Sequence, residues 1–533
     1  MISYYKASGL FVLLLLICTR CEDPFDPGDP VNITENVFLE ELIKSGYDTD
    51  GDGIISHQEA ESVTSLSISG KSISSVKGIE AFINLEHLHL CGTSIRKLDL
   101  RGIGNLISLW CHDNNLLTEL DISDCASLTI LSCELNSLSE IDVSANLELQ
   151  EIECAANLIT ELDLSVSRSL KQLRCGNNLL TTLDVSKCDS LRMLSCRRNQ
   201  LSRLDITRCD SLKYLHCGHN NINELDLSKN SALTHLNCSH NGIDDLDLTF
   251  CSELRYLNCE NNHGIKELNL CCNPQMKELY CSDCTSLRSL DLTACRELVS
   301  LECSNTSITS LVLSGFLQLE TLVCGSRSNM SELDVTGCRK LTKLSCNSCG
   351  LSTLNFVGCH TLTELKCYNN NLTSIDVSEN IVLTVLECSG NQITNLDLSS
   401  NKALQDLGCS SNPISTLDVT KNMALSRLSC SEIGASILDL SNNPLLTSLV
   451  CSRNEISTID LSSNILLESL YCSGNQMKTL DLSANFNIEY LRIGGMPSLY
   501  QVCVWTMPFP PSGTQCHLEG SPHVYFTTDC TTQ

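Results

Sequence analysis

The feature that most constrains the fold of this chain is a repeat of 21 or 22 residues. Eighteen cysteines from Cys111 to Cys472 mark it, separated by thirteen intervals of 21 residues and four of 22. A fixed period in this range is typical of a solenoid, in which each repeat forms one coil that contacts its neighbours. Aromatic residues make up only 4% of the 533 residues, too few for several separate cores. The sequence therefore predicts one elongated repeat body.

Each column of the repeat has a physical interpretation, which the unit over residues 170–188 illustrates. Leu173 and Cys175 alternate with period two, which predicts a short strand with both side chains pointing into the coil. The column three residues after the cysteine is Asn in thirteen of eighteen coils, and a buried turn Asn can satisfy backbone groups of its own and the next coil. The second half, Leu183-Asp184-Val185-Ser186, alternates again, so the opposite side should be extended chain.

The unit follows the frame L-x-x-L-x-L-x-x-N-x-L with Cys in the third apolar position, and it resembles the leucine-rich repeat family over residues 64–499. The resemblance implies an α/β-horseshoe class leucine-rich repeat solenoid of about 20 coils, mostly β in practice. It would have a parallel concave sheet and an extended convex side. The chain also resembles internalin-like and other bacterial repeat adhesins, and this resemblance implies that the concave face binds another macromolecule.

The ends of a solenoid need caps, because otherwise a bare layer of core is exposed. We predict a helical N-terminal cap over residues 34–63 and a β cap over residues 500–533, with strands at 500–505 and 523–527. The second cap holds three cysteines, so at most one disulfide can form among them and one thiol is left over: Cys503, Cys516 and Cys530.

The cysteine column is predicted to hold free thiols. Parallel strands stack about 4.8 Å apart, whereas a disulfide needs Cβ atoms about 3.5 to 4.5 Å apart with a twisted torsion. Cysteine also fills a narrow apolar position well. Two pairs resemble zinc knuckles in isolation, but each joins a core-column residue to an Asn-column residue: Cys281 with Cys284 and Cys346 with Cys349.

Residues 48–59 match a twelve-residue EF-hand-like calcium loop. Gly53 occupies the sharp turn at loop position 6, and Thr34 is placed to cap a helix over residues 35–44 before the loop. No second loop of this kind follows, so we predict structural Ca²⁺ rather than a paired sensor. The predicted ligands are five side chains and the carbonyl at position 7: Asp48, Asp50, Asp52, Ser56, Glu59 and Ile54.

The first residues predict export. Residues 1–21 contain a short apolar run followed by two cysteines, and the acidic, Pro-rich residues 22–33 read as a flexible tether. Together they resemble a bacterial lipoprotein signal, in which a cysteine becomes the lipidated N-terminus. Cys21 is favoured over Cys18 because the acidic pair Glu22–Asp23 follows it directly, and an ordinary cleaved signal is the alternative. The predicted location is the outer membrane or cell surface, as a lipoprotein.

The outward positions of the concave strands are enriched in aromatic residues. They hold six of the 11 Tyr, five of the 12 His and one of the two Trp. Strand propensity explains part of this enrichment, and a recognition surface would explain the rest, since Tyr and Trp give rigid contact area with a polar tip. The densest group, called the concave patch below, is predicted to bind a glycan or a neutral protein face: Tyr214, His216, His235, Asn237, Tyr256, Asn258 and Tyr280.

A second surface column is Asp in 16 of 19 coils, from Asp99 to Asp481. An array of cations along it is one interpretation. We favour the other, in which each short Asp side chain accepts hydrogen bonds from the local turn two residues on.

Charge and motifs limit the function. The formal net charge of -28 argues against nucleic acid as the main partner. The sequence carries no hydrolase, kinase, nucleotide or metalloprotease signature. Composition and motifs thus predict a non-enzymatic scaffold. The resemblance to bacterial repeat adhesins implies more, a monomeric ligand-binding scaffold or adhesin at the bacterial cell surface that binds an extracellular protein or glycan. The alternative is a structural envelope or matrix protein without a specific ligand.

Overall fold

The computed structural model describes residues 28–70, 72–325 and 330–530. The predicted signal segment, with Cys18 and Cys21, and the first part of the tether lie outside the described residues. Within the described part of the chain, no helix has the length and apolar character needed to cross a membrane.

The chain winds into a solenoid in which the turns contribute one strand each to a 22-stranded sheet. Neighbouring strands are parallel and in register, so Leu173 pairs with Leu194, and Leu194 with Leu215. This is the predicted concave sheet. Its strands are Ser65–Ser69, His87–Cys91, Ser108–Trp110, Ile130–Ser132, Glu151–Glu153, Gln172–Arg174, Met193–Ser195, Tyr214–His216, His235–Asn237, Tyr256–Asn258, Glu278–Tyr280, Ser300–Glu302, Thr321–Val323, Lys343–Ser345, Glu364–Lys366, Val385–Glu387, Asp406–Gly408, Arg427–Ser429, Ser448–Val450, Ser469–Tyr471, Tyr490–Arg492 and Gln515–His517.

The other side of the solenoid is extended chain, as predicted. Nine short strands there form four small parallel sheets of two or three strands. These strands are Lys97–Asp99, Glu119–Asp121, Glu267–Asn269, Ser289–Asp291, Ser310–Val312, Glu332–Asp334, Thr479–Asp481, Gln501–Cys503 and Tyr525–Thr527. In the described residues of the repeats, the only helix is the short 3-10 turn Ile79–Ala81.

The core lies between the two sides of each coil. In the unit over residues 170–188, the inward side chains Leu170, Leu173, Cys175 and Val185 are all 0% exposed. Burying one large aliphatic side chain stabilises the fold by about 1.5 to 3 kcal/mol. Since the same column is apolar in every coil, each side chain packs on its equivalents above and below, and the core is continuous.

The Asn column joins neighbouring coils. The amide of Asn199 donates to the carbonyl oxygens of Cys196 in its own coil and Cys175 in the preceding coil, at 3.0 and 3.1 Å. Its carbonyl oxygen accepts the N–H of Leu180 at 3.0 Å, also in the preceding coil. The bonds therefore reach back to the preceding coil. From the sequence, we expected them to reach forward to the next coil.

A left-handed residue precedes this Asn in coil after coil, which the sequence did not predict. Arg198 has φ 53° and His219 φ 56°, and Gly fills the position in a minority of the described coils, as at Gly92, Gly390, Gly474 and Gly495. A left-handed residue with a side chain costs about 1 to 2 kcal/mol. The paired Asn bonds on either side of the turn offset this cost.

The N-terminal cap contains the helices Asn36–Lys44 and His57–Ser62. The prediction that Thr34 caps the first helix is wrong, because the N-cap is Glu35 and no side chain caps the turn. The Glu35 carboxylate instead accepts hydrogen bonds from Ser74 and from the N–H of Ser75, at 2.7 to 2.9 Å. These bonds tie the cap to the first coils.

The C-terminal cap is one further turn of the solenoid. The predicted strands appear as Gln501–Cys503 and Tyr525–Thr527. Between them lies Gln515–His517, which the sequence did not predict and which adds the last strand of the concave sheet. Cys503 and Cys530 form a disulfide and Cys516 is free, which agrees with the predicted limit of one pair. Phe509 packs on Trp505 and Phe526 with ring centroids 5.3 and 4.6 Å apart and covers this end.

Candidate functional site

The concave patch lies on four consecutive strands of the sheet, so the structure brings all seven predicted residues together. Tyr214, His235 and Tyr256 are in register at the start of three strands and their rings stack. The centroids of Tyr214 and His235 are 4.5 Å apart with planes 22° from parallel. Those of His235 and Tyr256 are 6.0 Å apart at 21°. The in-register pairing of neighbouring strands thus places the three rings in one row.

The other four residues form a second row at the ends of the same strands: His216, Asn237, Asn258 and Tyr280. Tyr280 packs on Tyr256 with centroids 5.6 Å apart, and its hydroxyl donates to Glu278 at 3.1 Å. The carbonyl oxygens of the two Asn side chains accept backbone N–H groups two residues on, at 3.1 and 3.0 Å. These bonds fix the Asn side chains, so this row is preorganised.

Burial keeps the concave patch uncharged near neutral pH. It lowers the pKa of His216 to about 4, with the charges of Arg197 and His219 acting in the same direction. It also lowers the pKa of His235, although Glu278 opposes the shift. Burial raises the pKa of Tyr280 to about 12. The patch therefore presents neutral hydrogen-bond donors and acceptors.

The stacking decides which parts of the rings a ligand can reach. Sugars and bases bind aromatic side chains mainly through an open ring face. The faces of His235 and Tyr256 are turned towards neighbouring rings, which leaves the ring edges and polar tips to solvent. Tyr214, at the end of the row, is 42% exposed. The patch is thus built for contacts to ring edges and for hydrogen bonds.

A row of cations borders the concave patch, and the sequence analysis missed it. In five of six consecutive coils, the residue before the concave strand is Lys or Arg, and all five are exposed. Backbone hydrogen bonds of 2.8 to 2.9 Å join these positions from coil to coil through Thr234, which fills the sixth. We call this row the basic edge: Lys171, Arg192, Lys213, Arg255 and Lys277.

None of these five cations takes part in an ion pair with the described residues. A local charge count would have found the region. Residues 168–213 contain ten Lys or Arg and four Asp, a net charge of +6 in a chain whose net charge is -28.

The acidic loop of the N-terminal cap brings three of its predicted ligands together. Carboxylate oxygens of Asp48, Asp50 and Asp52 lie within 4.8 Å of one another. The N–H groups of Gly51 and Gly53 donate to Asp48 at 2.7 and 3.0 Å and hold the loop in its tight turn. Three carboxylates and no nitrogen or sulfur make a donor set that suits a hard cation such as Ca²⁺.

Glu59, the predicted bidentate ligand, turns both oxygens to the protein. It accepts hydrogen bonds from the backbone and hydroxyl of Thr49 and of Ser56, at 2.6 to 2.9 Å. Burial alone would raise its pKa, but these bonds prevail and lower the pKa to about 2. Ser56 caps the helix His57–Ser62 in return. The side chain of Ile54 is 37% exposed, and the next residue, Ile55, accepts the N–H of Val31 at 2.8 Å.

The described cysteines of the repeat column are free and buried, which confirms the prediction. Burial raises the pKa of Cys217 to about 12 and that of Cys175 well above its usual range. Cys284, one of the zinc-like pair residues, donates through its sulfur to the carbonyl of Cys259 at 3.2 Å and so takes the place of an Asn amide. The thiols are core groups.

The Asp column also follows the prediction of local turns. Asp184 accepts the N–H of Ser186 at 2.8 Å, and Asp205 accepts the N–H and hydroxyl of Thr207 at 3.0 and 2.7 Å. These bonds lower the pKa of both carboxyls. Each Asp thus closes the turn that follows its own short extended segment.

Comparison with solved structures identifies the architecture. The functional domain of InlJ from Listeria monocytogenes, which includes a cysteine ladder, is 29% identical over 75% of this chain and 74% of its own, with a TM-score of 0.51. YopM from Yersinia enterocolitica superposes with a TM-score of 0.68 over 95% of this chain and 96% of its own, at 21% identity. The plant peptide hormone receptor RGFR1, in complex with RGF2, gives a TM-score of 0.60 at 18% identity, covering 88% and 95% of the two chains.

These likenesses and the parallel solenoid show a leucine-rich repeat fold. No protein-family model matches the chain, and no curated protein matches its sequence. The described cysteine column is the feature that this chain shares most plainly with InlJ.

Proposed function

We propose that this chain is a non-enzymatic binding scaffold whose concave patch contacts an extracellular protein. The observation that carries the proposal is the assembly of seven neutral side chains on four consecutive strands, with Asn237 and Asn258 fixed by hydrogen bonds. Tyr and His edges with fixed Asn amides match the mixed apolar and polar character of a protein surface. The stacked ring faces favour a protein over a glycan, since a glycan would need an open face.

The comparisons support the proposal at the level of the fold. RGFR1, which has this architecture, is a receptor described in complex with a peptide. We extend from it only the idea that a leucine-rich repeat solenoid of this length offers a continuous surface for a polypeptide. The residues that would do so here are those of this chain.

We further propose that the protein is held at the bacterial cell surface by a lipid on Cys21, or on Cys18, and that structural Ca²⁺ binds the acidic loop. Asp48, Asp50 and Asp52 would supply the carboxylates. In this arrangement a bound ion would screen three like charges and stiffen the turn beside the first coil. Glu59 would reach the ion only after giving up bonds to Thr49 and Ser56.

The test is binding to an array of extracellular protein domains, with glycans arrayed beside them. Wild-type protein should bind particular protein spots, and Tyr214→Ala and Tyr256→Ala should each weaken that binding by about 1 to 2 kcal/mol. The matched control is Asp226→Ala on the convex side, which should leave binding unchanged. A protein that binds only glycans, or that binds equally well after both Tyr substitutions, would refute the proposal. Without any binding partner, a purely structural role would be the better description.

A further inference from the structure

We infer that the partner at the concave site is an acidic polypeptide segment, held by the basic edge beside the concave patch. The inference rests on the proposed function, since it names the chemistry of the ligand for the same face. It starts from a contrast in charge: a chain of net charge -28 places in one row five exposed cations that form no ion pair with the described residues.

The residues of the basic edge are far apart in the sequence but form one row in space. Its positions are joined by backbone hydrogen bonds, and parallel coils repeat about every 4.8 Å, so six coils span about 24 Å. Exposed like charges at such spacing repel one another. Three acids precede cations on the same turns, and in the described part of the chain none of them forms an ion pair with the row: Asp189, Asp210 and Glu253. An anionic ligand would relieve this repulsion.

The cations lie directly beside the ring row. Lys213 precedes Tyr214 and Arg255 precedes Tyr256, so each basic residue and its neighbouring ring belong to one coil. The second edge of the patch adds Arg197 and Arg198, both exposed. A segment lying across these coils would place its carboxylates on the basic edge and its backbone and apolar side chains on the patch. An extended chain of seven or eight residues covers the length.

The concave patch itself is neutral, so the carboxylates of a ligand would bind to the cations beside it. His216 and His235 have lowered pKa values because they are half-buried, and they are neutral near pH 7. A carboxylate placed over them would gain no ion pair. The basic edge, in contrast, is exposed and has long flexible side chains, which suits attraction over several ångströms.

The experiment is selection of a random dodecapeptide display library on the wild-type protein, followed by affinity measurement with the enriched peptides. We expect peptides rich in Asp and Glu. The variant Arg192→Gln, Lys213→Gln, Arg255→Gln removes three cations. Two unit charges about 6 Å apart in water attract enough for roughly a threefold effect on affinity, so this variant should lose about 30-fold. The loss should shrink towards nothing in 1 M salt, where the screening length is about 3 Å.

The matched control is Lys229→Gln, Lys402→Gln, Lys421→Gln, which makes the same change in net charge at exposed positions outside the concave strands. It should leave peptide affinity within about twofold, because charges beyond a screening length act weakly. An equal loss in both variants would show a general charge effect and would overturn the inference.

Other outcomes separate this inference from the proposed function. Neutral peptides that are lost with Tyr256→Ala but kept by the basic-edge variant would overturn the inference and leave the concave site standing. Peptides that depend on neither would overturn both. A sulfated polysaccharide that binds through the basic edge, where no acidic peptide does, would also overturn the inference, because the ligand would then be a glycan.

Discussion

Replacing Asn199 by leucine tests how the coils are joined. Asn199 is 8% exposed and makes bonds in two coils, to Cys196 and Cys175 as donor and to the N–H of Leu180 as acceptor. Leucine has the same branching at Cγ, with two methyl groups in place of the amide oxygen and nitrogen, and no polar atom. The substitution therefore removes the bonds without opening a large cavity.

The expected loss of stability depends on which hydrogen bonds each partner of Asn199 retains in the variant. The carbonyl of Cys175 still accepts the amide of Asn178, and that of Cys196 still accepts the amide of Asn220. Each loses one of two bonds, worth about 0.5 to 1.5 kcal/mol. The N–H of Leu180 loses its partner inside the protein, which costs about 1 to 3 kcal/mol. We expect Asn199→Leu to lower the free energy of unfolding by about 3 kcal/mol.

Amide hydrogen exchange is the best assay, because long repeat arrays depart from two-state unfolding. The amide of Leu180 and those of the two coils that meet there should exchange faster, while distant coils should change little. Gln200→Ala is the control, since Gln200 is exposed on the same turn. Asn199→Cys should lower the free energy of unfolding by less than Asn199→Leu. A thiol can donate a hydrogen bond at this position, as Cys284 does to the carbonyl of Cys259. A leucine variant as stable as the control would refute this account of the Asn column.

Four further predictions concern the core thiols, the N-terminal cap and the proposed lipid anchor. Thiol titration without reductant should find many more reactive thiols in denaturant than in buffer, because burial raises the pKa of ladder residues such as Cys217; equal numbers would contradict this. The pKa of Glu59 is lowered to about 2, so its contribution to the cap is full above the unfolded value near 4.5 and should be lost as the pH falls towards 2; Glu59→Gln should abolish that pH dependence. Ca²⁺ should raise the melting temperature of the cap, and Asp50→Asn should remove the rise; equal melting temperatures in Ca²⁺ and in chelator would contradict the calcium proposal. Lipid labelling in the native host should be lost with Cys21→Ser and kept with Cys18→Ser, and the opposite pattern would move the anchor to Cys18.

The repeat made most of the fold predictable. A coil contacts only its neighbours, so one correct interpretation of Leu173, Cys175 and Asn178 applies to every coil. The Asp column was equally predictable, because its bonds reach only two residues along the chain. The strand Gln515–His517 was not predictable, since it lacks the Leu-x-Cys pattern and is held in place by pairing with Tyr490–Arg492.

The candidate site was also predictable only in part. Its seven residues could be located because a strand with period two shows which side chains point outwards. Their stacking and half-burial could not be, since the angle between the rings of Tyr214 and His235 depends on the twist between coils. The calcium-loop motif also did not predict the hydrogen bonds that Glu59 accepts. Thr49 is ten residues from Glu59 in the sequence, and the two residues come into contact only when the loop closes.

The sequence by itself determined the period, the inward and outward columns and the free state of the core thiols, because all of these depend on contacts within one coil or between identical neighbours. Only the tertiary structure decided which charged side chains lie beside one another on the surface and whether the histidines of the concave patch are charged. Lys213 and Arg255 are 42 residues apart in the chain, yet they belong to one row of cations beside one row of rings. Hydrogen bonds between stacked coils bring them there, and the pKa values of the histidines follow from the burial that this stacking produces.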